Sequence, residues 1–374
     1  MPVNRSLISP TSSALLESAL RDKLLRRSET TGSLGELEPL AVRLGLMQNT
    51  LKPRLREPQV VLFASDHGLA VDGLNRPHQR STREQVLQLL SAQLPVAVFA
   101  RIQGMELSVV DCGVAETLLP HDRLLMRKIA HGTRNARVGP AMSTDQAHAA
   151  IRAGMEIGDA LRGNLVACAG IGVGSHESAA LVLSRLSDSS IRELLIEGPQ
   201  MNQDDLAHLM AVVQGAQGRH RDTSDPVEVL AAFGGFEIAM MVGVMLVSAS
   251  KRHLVMVDGM AACAALMVAS RIAPPVTDYC VFCRSHSHQG LDQALGLFRA
   301  SALLELGMES TDGTGATVAW PLVRAAAALL TEVAEGEDPG PSRPVAMTTG
   351  EIPLAPPGED ATRPGPLDAP DVPL

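Results

Sequence analysis

The chain has 374 residues, 45% of them hydrophobic, and a net charge of −9: enough for one large α/β domain with a satellite, and too many for one small core. Aromatics make up only 2%. Together with the acidic balance, this argues against a nucleic-acid surface, which needs clustered cations and stacking rings.

The N-terminus has no uninterrupted apolar h-region, and the richest apolar run, Met240 to Ser250, falls short of a bilayer. Cys112, Cys168, Cys263, Cys280 and Cys283 are sparse, odd in number and mostly set in apolar runs. The expectation is a soluble protein of a reducing cytoplasm, with no membrane partner.

Apolar spacing predicts helices over Ala14 to Leu25 and Glu36 to Leu46, with a turn at Thr30 to Gly35 between them. Gln59 to Ala64 is a continuous apolar run rich in β-formers, the pattern of a strand buried on both faces. It ends in Ser65-Asp66-His67-Gly68. Ligands of open parallel sheets sit beyond the carboxyl ends of strands, so Asp66 and His67 are candidates for chemistry. Equally, Asp66 can cap the next element with His67 packed beneath it. A polar loop with Asn75 follows, then a helix with Thr82 as its cap and Gln85 inside it.

Leu107 to Gly113 repeats the strand-then-Asp-Gly design, and a helix over Gln146 to Leu161 is capped by Ser143 or Thr144. The strand Leu165 to Ala169 leads into Gly170-Ile171-Gly172-Val173-Gly174-Ser175 and an apolar helix. Strand, glycine turn, helix start is a recipe for cradling a phosphate, here a mononucleotide or other small phosphate rather than a dinucleotide. Further on come a helix from Asp204 to Val213, Gly234-Gly235 before an apolar helix, and a strand ending at Asp258-Gly259. A last strand is expected over Val276 to Phe282. Alternating strands and helices across 59–284 predict a parallel sheet covered on both faces.

Cys280, Cys283, His286 and His288 are ligand types that zinc accepts. A strand sends the two cysteines to opposite faces and no second knuckle follows, so a substrate loop is the reading preferred and no metal is assigned. After Leu306 comes Ser310-Thr311-Asp312-Gly313-Thr314-Gly315-Ala316, opening an apolar helix. Small residues after one carboxylate allow close backbone approach, and Asp312 is placed either as a general base beside an anion or as a helix cap. From Glu335 onward Pro, Gly, Glu and Asp dominate and a disordered tail is expected.

In their order and spacing these motifs resemble the nicotinate-nucleotide–dimethylbenzimidazole phosphoribosyltransferase family. The matching pieces include Gly32 to Gly35, Ala64 to Gly68, Val110 to Val114, Gly132-Thr133 with Asn135, Pro140 to Met142, Gly172 to Gly174, Gly234 to Ala239, Val257 to Gly259 and Gly313 to Ala316. The resemblance implies a Rossmann-like α/β sheet with helices on both faces, and a small helical domain from residues 1–55 and the last helix. The large domain would span 56–300, the catalytic loop and returning helix 301–334, and the tail 335–374.

It also implies a reaction without cofactor. A benzimidazole nitrogen attacks C1′ of nicotinate mononucleotide, nicotinate leaves, and the α-ribotide forms. The family's base is the glutamate of Leu-Gly-Glu-Gly-Thr-Gly-Ala, and Asp312 stands in its place, one methylene shorter. Substrate contacts are implied at Asp66, His67, Asn75, Gln85, Gly172, Gly174, Ser175, Gly234, Gly235, Asp258, Ser285, Gly313, Thr314 and Gly315.

A second family glutamate is replaced by Gly170, and the family's Gly-Arg-Gly-Thr-Gly has no counterpart near Glu197 to Met201. A homodimer is implied, with a heterodimer with an active paralogue, or transfer to a phenolic base, as alternatives.

Overall fold

The computed structural model describes residues 8–74, 79–196, 203–285, 289–308 and 311–334. The expected tail from Glu335, Asn75, His286 and His288 lie outside the described residues.

One sheet of seven parallel strands organises the chain: β1 (Gln59–Ser65), β2 (Glu106–Gly113), β3 (Leu124–Met126), β4 (Leu165–Ile171), β5 (Leu254–Val257), β6 (Cys280–Ser285) and β7 (Ala302–Glu305). The spatial order is β3-β2-β1-β4-β5-β6-β7. It reverses direction between β1 and β4, where their carboxyl ends diverge and leave a crevice. Every residue of β1 and β4 is buried, as continuous apolar runs require when helices cover both faces.

Helices α1 (Ala14–Thr31) and α2 (Leu37–Gln48) precede the sheet. Helix α1 continues through Thr31, past the expected break, and ends at Gly32 with φ 75°. Helices α3 (Thr82–Leu90) and α4 (Pro95–Ile102) follow β1, separated by a turn with Ala92 at φ 55°. Thr82 does not cap α3. Ser81 does, in a capping box with Glu84, and this leaves the Thr82 hydroxyl for Asp66. Helix α5 (Thr144–Ala160) uses Ser143 as its cap, again in a capping box, with Gln146.

Helices α6 (Ser175–Ser187), α7 (Ile191–Leu195), α8 (Gln203–Arg219), α9 (Pro226–Phe233) and α10 (Phe236–Ser250) lie between β4 and β5. Helix α11 (Met260–Ile272) follows β5, α12 (Gln289–Leu297) follows β6, and α13 (Thr314–Thr331) closes the fold, packing against α2, α4 and the end of the sheet. The strand expected from Val276 starts only at Cys280, because Pro274-Pro275 sets a 3₁₀ turn over Pro274–Tyr279.

Candidate functional site

The loops beyond β4, β5, β6 and β7 enclose a cleft of ≈ 310 Å³. Asp312 stands on its wall, placed by the turn before α13, where Gly313 takes φ 91°. A Cβ at Gly259 would overlap the Asp312 carboxylate, so the missing side chain there is what seats it. Asp312 Oδ1 accepts a hydrogen bond from Arg284 Nη2 at 2.7 Å. The same guanidinium donates through Nε to Asp258 Oδ1 at 2.8 Å and through Nη1 to the Met308 carbonyl at 2.6 Å. Asp258 also accepts from the Ala316 amide at 3.0 Å, which ties β5, β6 and the start of α13 together.

Burial pushes the Asp312 carboxyl up. Arg284 pulls it down and the Asp258 charge raises it again, leaving it at about 7, well above the usual carboxylate range. A carboxyl there is part ionised at neutral pH and suits proton transfer.

The opposite wall is Gly172, Gly174, Ser175, His176 and Glu177, with Gln85 from α3 at the rim. Gly172 and Gly174 answer backbone packing first. A Cβ at Gly172 would overlap the Ser65 carbonyl oxygen, and one at Gly174, which sits at φ 86°, would come 2.9 Å from the His67 Cβ.

The helix start expected to meet a phosphate carries an acidic side chain of its own. Glu177 occupies the first turn of α6 and is buried, and Ser175 Oγ donates to the buried Glu237 at 2.9 Å. Carboxylates therefore stand beside this helix start, and Glu237 is paired there with His67. Arg284 is matched by Asp258 and Asp312.

A second hollow of ≈ 530 Å³ lies beyond β1 and β2 and contains Asp66 and His67. The Asp66 carboxylate is engaged by the Thr82 hydroxyl and by the Ala115 amide at 2.7 Å, and it fastens three loops. His67 Nε2 meets Glu237 Oε1 at 2.9 Å, with both side chains buried. Burial opposes its charge, but the charge and hydrogen bond of Glu237 outweigh that and hold His67 above its ordinary value. Gly235 leaves the room this pair needs, and neither Gly234 nor Gly235 lines the cleft.

Asp258, Ser285, Gly313, Thr314 and Gly315 likewise support rather than line it: the Thr314 hydroxyl caps its own turn on the Thr311 carbonyl, and Gly315 packs on Arg284. Cys280 and Cys283 are both buried, and among the described residues no three metal-ligand side chains gather. Sequence reasoning missed Arg284, Glu177 and Glu237. The available signal was a charged residue beside an otherwise apolar strand or helix, where burial demands a partner.

A family profile described as phosphoribosyltransferase matches residues 8–340. A nicotinate-nucleotide–dimethylbenzimidazole phosphoribosyltransferase of Cupriavidus taiwanensis is 40% identical over 323 residues, covering 86% of this chain and 92% of that one. One of the same name from Cupriavidus necator is 39% identical over 333 residues, covering 87% and 95%. A crystal structure of such an enzyme from Thermus thermophilus superimposes with a TM-score of 0.80 at 29% identity, over 89% of this chain and 100% of that one. The chain therefore belongs to the phosphoribosyltransferase family in which these nicotinate-nucleotide–dimethylbenzimidazole enzymes are found.

Proposed function

We propose that the chain transfers the phosphoribosyl group of nicotinate mononucleotide to 5,6-dimethylbenzimidazole or a related lower-ligand base, as in assembly of the cobalamin nucleotide loop. The observation that carries this reading is Asp312, a carboxylate held at about 7 on the wall of a cleft formed at the strand ends.

The acceptor's ring nitrogen attacks C1′ as the C1′–pyridinium bond breaks. The electron pair of that bond returns to the nicotinate nitrogen and cancels its positive charge. Asp312 removes the proton from the acceptor's other nitrogen. The Asp312 carboxylate also suits a substrate whose reacting ribosyl carbon gains positive charge as the bond lengthens. Gly172, Gly174 and Ser175 face this carbon and its ribose, and Gln85 meets the acceptor at the rim. The protein works in the cytoplasm on small molecules as a homodimer.

The test is to incubate purified protein with nicotinate mononucleotide and a panel of benzimidazoles and phenols, following nicotinate release by chromatography. Release with a benzimidazole is expected. Release with phenols alone would move the acceptor class, and release with none would overturn the reading.

A further inference from the structure

Arg284 leaves the end of β6 and, among the described residues, reaches Asp258 after β5, the Met308 carbonyl, and Asp312 before α13. A guanidinium is rigid and planar, so anchoring Nε on Asp258 fixes where Nη2 points. The start of α13 closes over this arrangement. A Cβ at Gly315 would come 2.7 Å from Arg284 Cδ and 2.8 Å from Asp258 Oδ1. On its other side the Asp312 carboxylate rests against Gly259. Its Oδ1 is committed to Arg284, and Oδ2 accepts no hydrogen bond from a described residue.

We propose that Arg284 is a positioning residue of the reaction: anchored on Asp258, it grips Asp312 through Oδ1 so that Oδ2 is the oxygen presented to the acceptor's proton. This rests on Asp312 being the base. The fork also explains how an aspartate can serve where the family has a glutamate. The shorter side chain forfeits reach but is held still from both sides, and orientation is what a base chiefly contributes.

Among the described residues, the charged and titratable groups around Asp312 are Arg284 from β6, Asp258 after β5, the Cys263 thiol of α11, and His176 and Glu177 of α6, which line the same cleft. Of these, Arg284 favours the ionised carboxylate and Asp258 disfavours it. Removing one or the other must therefore move the Asp312 titration in opposite directions, and a variant that keeps the cation without the fork separates positioning from charge.

The experiment measures kcat against pH for the parent, Arg284→Gln, Arg284→Lys and Asp258→Asn. In parallel it follows the carboxyl carbon resonance of Asp312 in aspartate-labelled protein, assigned by its loss in Asp312→Asn. Arg284→Gln should move the acid limb and the resonance midpoint upward by about one pH unit, so that kcat falls about tenfold below the limb, with little change in KM for the mononucleotide. Asp258→Asn should move both downward. Arg284→Lys keeps a cation without the fork and should keep the midpoint while losing kcat. Unmoved midpoints, or shifts of the same sign in Arg284→Gln and Asp258→Asn, overturn the proposal. If the parent releases no nicotinate the assigned reaction fails, while the resonance still decides whether Arg284 governs Asp312.

Discussion

Asp312 is reluctant to ionise because it is desolvated, and it is kept partly ionised because Arg284 lies 2.7 Å away. With the carboxyl near 7, the sign of the pH dependence follows. A base works only when deprotonated, so kcat should fall as the pH drops through that value and level off above it. Asp312→Asn keeps the shape without the basicity. It should lower kcat by roughly 10²–10⁴-fold and leave KM for the mononucleotide nearly unchanged. A parent-like kcat in that variant would reduce Asp312 to a turn residue. Asp312→Glu carries the chain's residue back to the family's, but Gly259 and Arg284 already fill both sides of the carboxylate. The extra methylene should therefore slow turnover. Asp312 was legible because its small-residue turn is local. Arg284 was not, because its meaning comes from segments 26 and 28 residues away in sequence.

Single elements were readable wherever a buried run stood between punctuation. Strands β1 and β4 are continuous apolar runs, buried at every residue, and they sit at the centre of the sheet. Strands β3 and β7 are three and four residues long at the sheet edges, and so little chain offers no period to read. The same limit hid the break between α3 and α4.

A close helix contact was equally invisible: α5 and α10 meet where Gly154 faces the backbone of Met240 and Gly243 faces that of Ile151. A methyl group at either position would overlap a carbonyl oxygen, and backbone cannot step aside as a side chain can. Gly243→Ala should cost at least about 2 kcal/mol, in the range found for overpacked cores. Urea unfolding measures this, and an unchanged midpoint would mean the helices separate freely.

At the scale of the whole molecule, sheet order decides where the chemistry can be. The reversal between β1 and β4 splits the carboxyl edge into two hollows, with Asp66 and His67 on one side and Asp312 on the other. Two acidic candidates, Asp66 after a strand and Asp312 before a helix, are thereby separated: Asp66 ties segments together, while Asp312 lines the cleft. The same burial that supports this edge governs the cysteines. All five thiols are free and buried, with burial pushing Cys280 up to about 12 and the others above their ordinary value as well. Because the thiolate is the reactive form, the folded protein should hold them inert at pH 8. Titration with a chromogenic disulfide should label none of the five in the native protein and all five after denaturation. Rapid labelling of Cys280 and Cys283 in the native state would mean that β6, which also carries Arg284, opens to solvent. The grip of Arg284 on Asp312 would then be intermittent.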